Sequence, residues 1–213
     1  MPHRMFVAVV PPPEVVEDLS DFLEPRRDVG MPWIHPEQWH VTLAFMSAVL
    51  DRSVDALLEH LEAAALKRRP FTLRLAGAGA FPDAVRAKVL WLGLRPGEAG
   101  PTGAAAPAPD GPAELERLAV NVRSAATTAG APVDGKSFRP HLSLAHLKRP
   151  VEATRWLRIL DTYSGPSWQV EQVELVASHL AEGPGRRPRH EVVRSFDLGG
   201  GSADRGRGAS QDG

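Results

Sequence analysis

Two tetrapeptides in this chain follow one pattern, His40-Val41-Thr42-Leu43 and His141-Leu142-Ser143-Leu144, about half a chain length apart. Each lies in an apolar run that alternates as a β-strand does, over residues 39–46 and 138–145. Successive side chains of a strand point to opposite faces. Each histidine therefore shares a face with the hydroxyl two residues on, roughly 7 Å away along the backbone, while the aliphatic residues fill the other face. A single short motif arises readily by chance, but a matched pair in the two halves of a chain points to an internal duplication. Any fold must therefore provide two similar strands, each offering an imidazole and a hydroxyl.

The remaining periodicity supplies elements around them. Residues 4–10 read as a strand stopped by Pro11-Pro12-Pro13, and Pro13 suits the first turn of a helix carrying Val15, Val16, Leu19, Phe22 and Leu23. A second helical stripe, Leu57, Leu58, Leu61, Ala64 and Ala65, ends at Pro70. Strands are expected over 71–76 and 88–94, joined through Gly77–Asp83. A helix follows over 114–128, stopped by Gly130. A short helix near 151–160 and strands near 168–177 and 189–198 complete the order. Helices and strands mixed in both halves argue for an α+β fold of two lobes rather than a doubly wound parallel sheet.

Glycine (19) and proline (20) are over-represented in the 213 residues, and two tracts concentrate them. Residues 95–113 read as a flexible insertion and 199–213 as a disordered tail, which leaves one domain over 1–198. Lys+Arg number 25 against 26 Asp+Glu, so no global positive field exists to grip a long nucleic acid. Cysteine is absent, which excludes disulfides, thiolate metal sites and a cysteine nucleophile. The apolar run Met5–Val10 is too short for a signal sequence, and no run approaches a membrane span. A soluble, cytoplasmic protein without membrane partners is the expectation.

Paired histidines and hydroxyls suit phosphoryl transfer. Displacement at phosphorus needs a base for the attacking oxygen and an acid for the leaving one, and imidazole serves as either near neutral pH. Neighbouring hydroxyls can hold the non-bridging oxygens where charge develops. No metal or other cofactor is expected, since His35/His40 and His141/His146, each five apart, do not share one helix or strand face as ligands would. Residues 130–137 (GAPVDGKS) satisfy a phosphate-loop expression, but a helix precedes them and a strand follows, the reverse of the context that loop requires.

With these residues in view, the chain resembles the two-histidine phosphoesterase superfamily, within it the RNA 2′,3′-cyclic phosphodiesterase or 2′-5′ RNA ligase family. The matching segments are RMFVAVVPP, WIHPEQWHVTLAFM, FTLRLAGAGAFP, KVLWLGL, FRPHLSLA and HEVVRSFDL. The resemblance implies a bilobal fold, two antiparallel sheets facing a central cleft with helices outside, related by a pseudo-two-fold. It implies hydrolysis of 2′,3′-cyclic phosphate ends of RNA to 2′-phosphates. His40 would protonate the leaving 3′ oxygen, His141 would activate water, and Thr42 and Ser143 would bind the phosphate. Some members join RNA ends through a 2′-5′ bond without ATP, and a non-catalytic binder of phosphorylated ends is the other alternative.

The chain departs from the family pattern at His146, where members often carry Arg, and at His190, where an aromatic is common. Arg139, two residues before His141, is a further candidate for binding phosphate. RNA 3′ termini or small cyclic nucleotides are the expected partners of a monomer. For stacking a base, Trp33 is the candidate, because Trp39 and Phe45 share the strand face of Val41 and Leu43 and so read as core.

Overall fold

The structure is a computed structural model that describes residues 2–27, 31–98, 110–135, 137–180, 182 and 188–199. Strands are β1 (His3–Val9), β2 (Val41–Val49), β3 (Phe71–Phe81), β4 (Ala87–Pro96), β5 (Leu142–Val151), β6 (Ser164–Val170), β7 (Gln172–His179) and β8 (Arg189–Asp197). Helices are α1 (Pro13–Leu23), α2 (Asp51–Leu66), α3 (Gly111–Thr128) and α4 (Thr154–Leu160). Pro13 opens α1, where its missing N–H costs no helical bond, and Val15, Leu19 and Leu23 bury one face. Gly130, at φ +74°, follows α3 in the left-handed conformation that glycine adopts without a Cβ penalty.

The strands form one antiparallel sheet of eight in the order β6-β3-β4-β5-β2-β1-β7-β8. The fold is α+β, as expected, but in place of two separate sheets the two halves meet at its centre. That seam is thin: β2 and β5 pair only at Val41 and Leu142. Beyond it the two strands part, and each finds a loop as its next partner. The Leu144 carbonyl accepts the N–H of Ile34 at 2.8 Å, and the Phe45 carbonyl accepts that of Asp134 at 2.9 Å. Parting leaves space between the halves while these loop bonds pair the Leu144 and Phe45 carbonyls.

One sheet face and the helices share a single apolar core running from Met5, Val7 and Val9 through Leu57, Leu61, Leu115 and Leu118 to Leu142 and Leu144. The opposite face holds a small cluster of Phe6, Ala8 and Val176 with Phe45 beside it. No helix among the described residues is long and apolar enough to cross a membrane.

Three expectations shift. The run 168–177 divides at Glu171 into β6 and β7, which pair with β3 and β1 on opposite halves. The consecutive polar pair Glu171-Gln172, between buried Val170 and Val173, breaks the alternation at the division. Pro166 fits because β6 is an edge strand. β3 continues through Gly77–Phe81 with a bulge in its ladder to β4, and Gly79 lies under the indole of Trp91, where a Cβ would stand 2.0 Å from the ring. Finally, Arg95 and Pro96 belong to β4, and 111–113 belong to α3. Of the expected insertion, residues 99–109 lie outside the described residues, as do residues 200–213 of the tail.

Leu142 is fully buried at the seam. Leu142→Ala is expected to cost about 2–5 kcal/mol of stability, read by urea unfolding.

Candidate active site

Both histidines stand one residue before the strands that sequence placed them in, and both are held alike. His40 Nδ1 bonds the Gln38 carbonyl at 2.7 Å, and His141 Nδ1 bonds the Arg139 carbonyl at 2.7 Å. A carbonyl only accepts, so Nδ1 donates in each case. In the neutral ring the proton is then on Nδ1, and Nε2 presents its lone pair.

The seam fixes their mutual placement. With Val41 opposite Leu142, the antiparallel register continued by one residue sets His40 opposite Ser143 and Thr42 opposite His141. Val41 and Leu142 are buried in the core, so the four polar side chains occupy the other face as a compact square. They line a cavity of about 310 Å³ together with Arg4, Phe6, Gln38, Phe45, His146 and His190.

The alternation then slips at the same step in both strands. On β2, Val7 and Ala8 of β1 pair with Ala44 and Thr42, leaving Leu43 as an extra residue. On β5, Leu90 and Trp91 of β4 pair with Ala145 and Ser143, leaving Leu144 as an extra residue. A bulge of this kind shifts the phase of every later side chain. Ala44 and Ala145 thus turn to the core, while Phe45 and His146 turn to the cavity. Strict alternation put Phe45 in the core, and the bulge is why that expectation fails. Trp33 fails as the stacking candidate for a different reason: it packs edge-to-face on Trp156, 5.0 Å away, against the core, and lines neither cavity at the histidines.

An aromatic ring backs each catalytic candidate, for His40 from the adjacent strand and for His141 from the strand beyond its neighbour. Phe6 of β1 stacks on His40 at 4.6 Å, and Phe81 of β3 meets His141 edge-on at 5.0 Å. His190 of β8 lies 5.6 Å from His40. A second, more apolar cavity of about 630 Å³ adjoins the first through Thr42, Phe45 and His141, with Phe81 and Phe138 in its wall. The exposed side chain of Arg139 lines this second cavity, so of the expected residues it alone lies apart from the square. Its backbone carbonyl is what orients His141. Gln38 closes the far side, donating from Nε2 to the Pro188 carbonyl at 2.8 Å.

The environment disfavours positive charge on all four imidazoles. Burial pulls His40 down from 6.5 to about 4, against the Gln38 bond that favours its charged form, and His190, His141 and His146 add repulsion. Burial also lowers His141, with His146 contributing. His146 and His190 are lowered as well, first by burial and for His190 also by Arg4. Among the described residues, no three His, Asp or Glu side chains are grouped to hold a metal ion. The arrangement offers two neutral bases lining one cavity, with a hydroxyl beside each and, among the described residues, no carboxylate in its wall.

An unfolded histidine binds its proton near 6.5, whereas these folded ones bind it only at lower pH. Stability is thus complete above about 6.5 and is lost as pH falls toward 4. The melting temperature is expected to drop by several degrees between pH 7 and pH 4.5, and less so for His40→Gln measured by the same scan.

Comparison with known proteins shows the family. Residues 11–182 match the family model of the 2′-5′ RNA ligase superfamily. An RNA 2′,3′-cyclic phosphodiesterase of Aquifex aeolicus is 28% identical over 171 residues, 79% of this chain and 82% of that protein. One of Thermus thermophilus is 28% identical over 204 residues, 92% of this chain and 91% of its own length. Escherichia coli LigT crystallised with 3′-AMP superimposes with a TM-score of 0.67 at 26% identity, covering 93% of this chain and 99% of that one. The chain belongs to the 2′-5′ RNA ligase superfamily.

Proposed function

We propose that this protein hydrolyses 2′,3′-cyclic phosphate ends of RNA to 2′-phosphates, using His40 and His141 without a metal ion. The observation that carries the reading is the matched pair of imidazoles, each held by an Nδ1–carbonyl bond that leaves Nε2 free, both lining one small cavity. Relatives bearing the phosphodiesterase name across most of their length support the substrate class. We read the two halves as copies of one ancestral unit, since motif, imidazole bond and bulge recur at corresponding positions. The reaction belongs to the cytoplasm, where RNA is processed.

In this mechanism His141 Nε2 takes a proton from water as its oxygen bonds to phosphorus. The bond from phosphorus to the 3′ oxygen breaks, and that oxygen takes the proton carried by His40 Nε2. The product is a 2′-phosphate with a free 3′ hydroxyl. Thr42 and Ser143 donate to the non-bridging oxygens as their charge grows. The adjoining apolar cavity takes the terminal nucleoside, with Phe45, Phe81 and Phe138 available for its base and Arg139 at the wall.

His40 must carry a proton to act as acid, yet its environment keeps it neutral until pH falls toward 4. The substrate resolves this, because a bound phosphate anion favours the protonated form of both imidazoles. The pH profile should record it. The kcat/KM curve reports the free protein, in which one imidazole must be protonated and one not, so its falling limb should lie below pH 6.5. The kcat curve, which reports the complex, should fall at higher pH. Coincident limbs would count against substrate-raised protonation.

Incubation with 2′,3′-cyclic nucleotides, followed by phosphorus NMR, is expected to give the 2′-phosphate alone and to be unaffected by EDTA. His40→Ala and His141→Ala should each lower kcat by roughly 10²–10⁴ with the fold retained by circular dichroism. Full activity in either variant would contradict the reading, as would loss of activity in EDTA that a divalent metal restores.

A further inference from the structure

The reaction steps above give Arg4 no role, although among the described residues lining the smaller cavity it is the only one with a permanent positive charge. Arg4 and Phe6 lie two apart on β1 and so project from the same face, about 7 Å apart along the strand. Phe6 stacks on His40, so Arg4 stands one strand step further out from the reacting centre. Its guanidinium sits 4.4 Å over the ring of Phe45, whose place in the cavity the bulge in β2 secures. His190 fills the interval: it meets Phe6 at 5.0 Å and His40 at 5.6 Å, and Arg4 depresses its basicity. A path of cationic and potentially cationic groups thus leads from His40 past His190 to Arg4 at an exposed edge. The next phosphate of an RNA strand lies one nucleotide from the cyclic end, a separation of the same order as that strand step.

Building on the hydrolytic reading, we propose that Arg4 binds the phosphodiester joining the terminal nucleotide to the one before it. The protein then distinguishes an RNA end from a cyclic mononucleotide. A guanidinium held over a ring still has N–H groups to offer phosphate oxygens, and the contact reduces the rotamer freedom lost on binding. No carboxylate competes in the described cavity wall. Because Arg4 is exposed, its grip is modest and weakened by salt. An overall charge of −1 is compatible with this, since one placed cation serves where a general field is absent.

The test compares kcat/KM for three substrates: a 2′,3′-cyclic mononucleotide, a dinucleotide with a cyclic end, and that dinucleotide with a neutral methylphosphonate linkage. The wild-type protein is expected to prefer the charged dinucleotide over the mononucleotide by about tenfold and to lose most of that preference with the neutral linkage. In Arg4→Gln the ratio should fall toward one, with no further loss from the neutral linkage, and Arg4→Lys should retain part of it. Added salt should shrink the wild-type ratio. An unchanged ratio in Arg4→Gln, or full preference for the neutral-linked dinucleotide by the wild type, would overturn the assignment of Arg4 while leaving the hydrolytic reading intact. If the wild type turned over none of the three, the hydrolytic reading would fall and this assignment with it.

Discussion

The pairing of Val41 with Leu142 is the contact on which the site depends. One residue pair at the middle of an eight-stranded sheet places two imidazoles and two hydroxyls on a common face. A longer ladder would close the space between the halves. No ladder at all would leave the spacing of His40 and His141 to loops. The core residues on the far face hold the seam at a fixed depth, so hydrophobic packing sets the geometry of a polar site whose own side chains contribute little to stability. The two Nδ1–carbonyl bonds then decide what that geometry presents. Without them either nitrogen could face the cavity, and the rings could turn.

The same constraint explains the electrostatics. Imidazoles drawn together against aromatic rings lose hydration and repel one another when charged, so they rest neutral. That state suits a base and not an acid, and an anionic substrate supplies the charge that favours the protonated acid. The lowered basicity is therefore a cost to the free protein at acid pH and a source of discrimination in favour of anions.

Much of this was legible in the residues. The motif pair identified the strands, the two histidines and their hydroxyl partners, and the resemblance around them extended to the fold class. What alternation could not reveal was its own interruption. Phe45 and His146 reach the cavity only because Leu43 and Leu144 are extra residues in their ladders, and a bulge depends on partners far away in sequence. Their equal offset from the two histidines was the available signal, visible once the tetrapeptides are aligned. The division at Glu171 is marked only by the phase slip of the polar pair Glu171-Gln172, with no glycine, proline or turn residue, since two strands on opposite halves of a sheet can abut in sequence. Trp33 was misplaced because a residue outside the strands has no face to read, and its partner Trp156 lies on α4. Arg4 opens one of the matching segments, RMFVAVVPP, but nothing in the sequence places it at the site; that comes from the ring it covers.

The most direct measurement is long-range proton–nitrogen NMR of the imidazoles of His40 and His141, titrated in the free protein and with a nucleoside 2′-monophosphate. In the free protein both rings should be neutral at pH 7 with the proton on Nδ1, and both should titrate below 6.5. Bound phosphate should move both titrations upward. A proton on Nε2 in either free ring, or titrations that do not respond to the phosphate, would contradict the roles assigned to this pair.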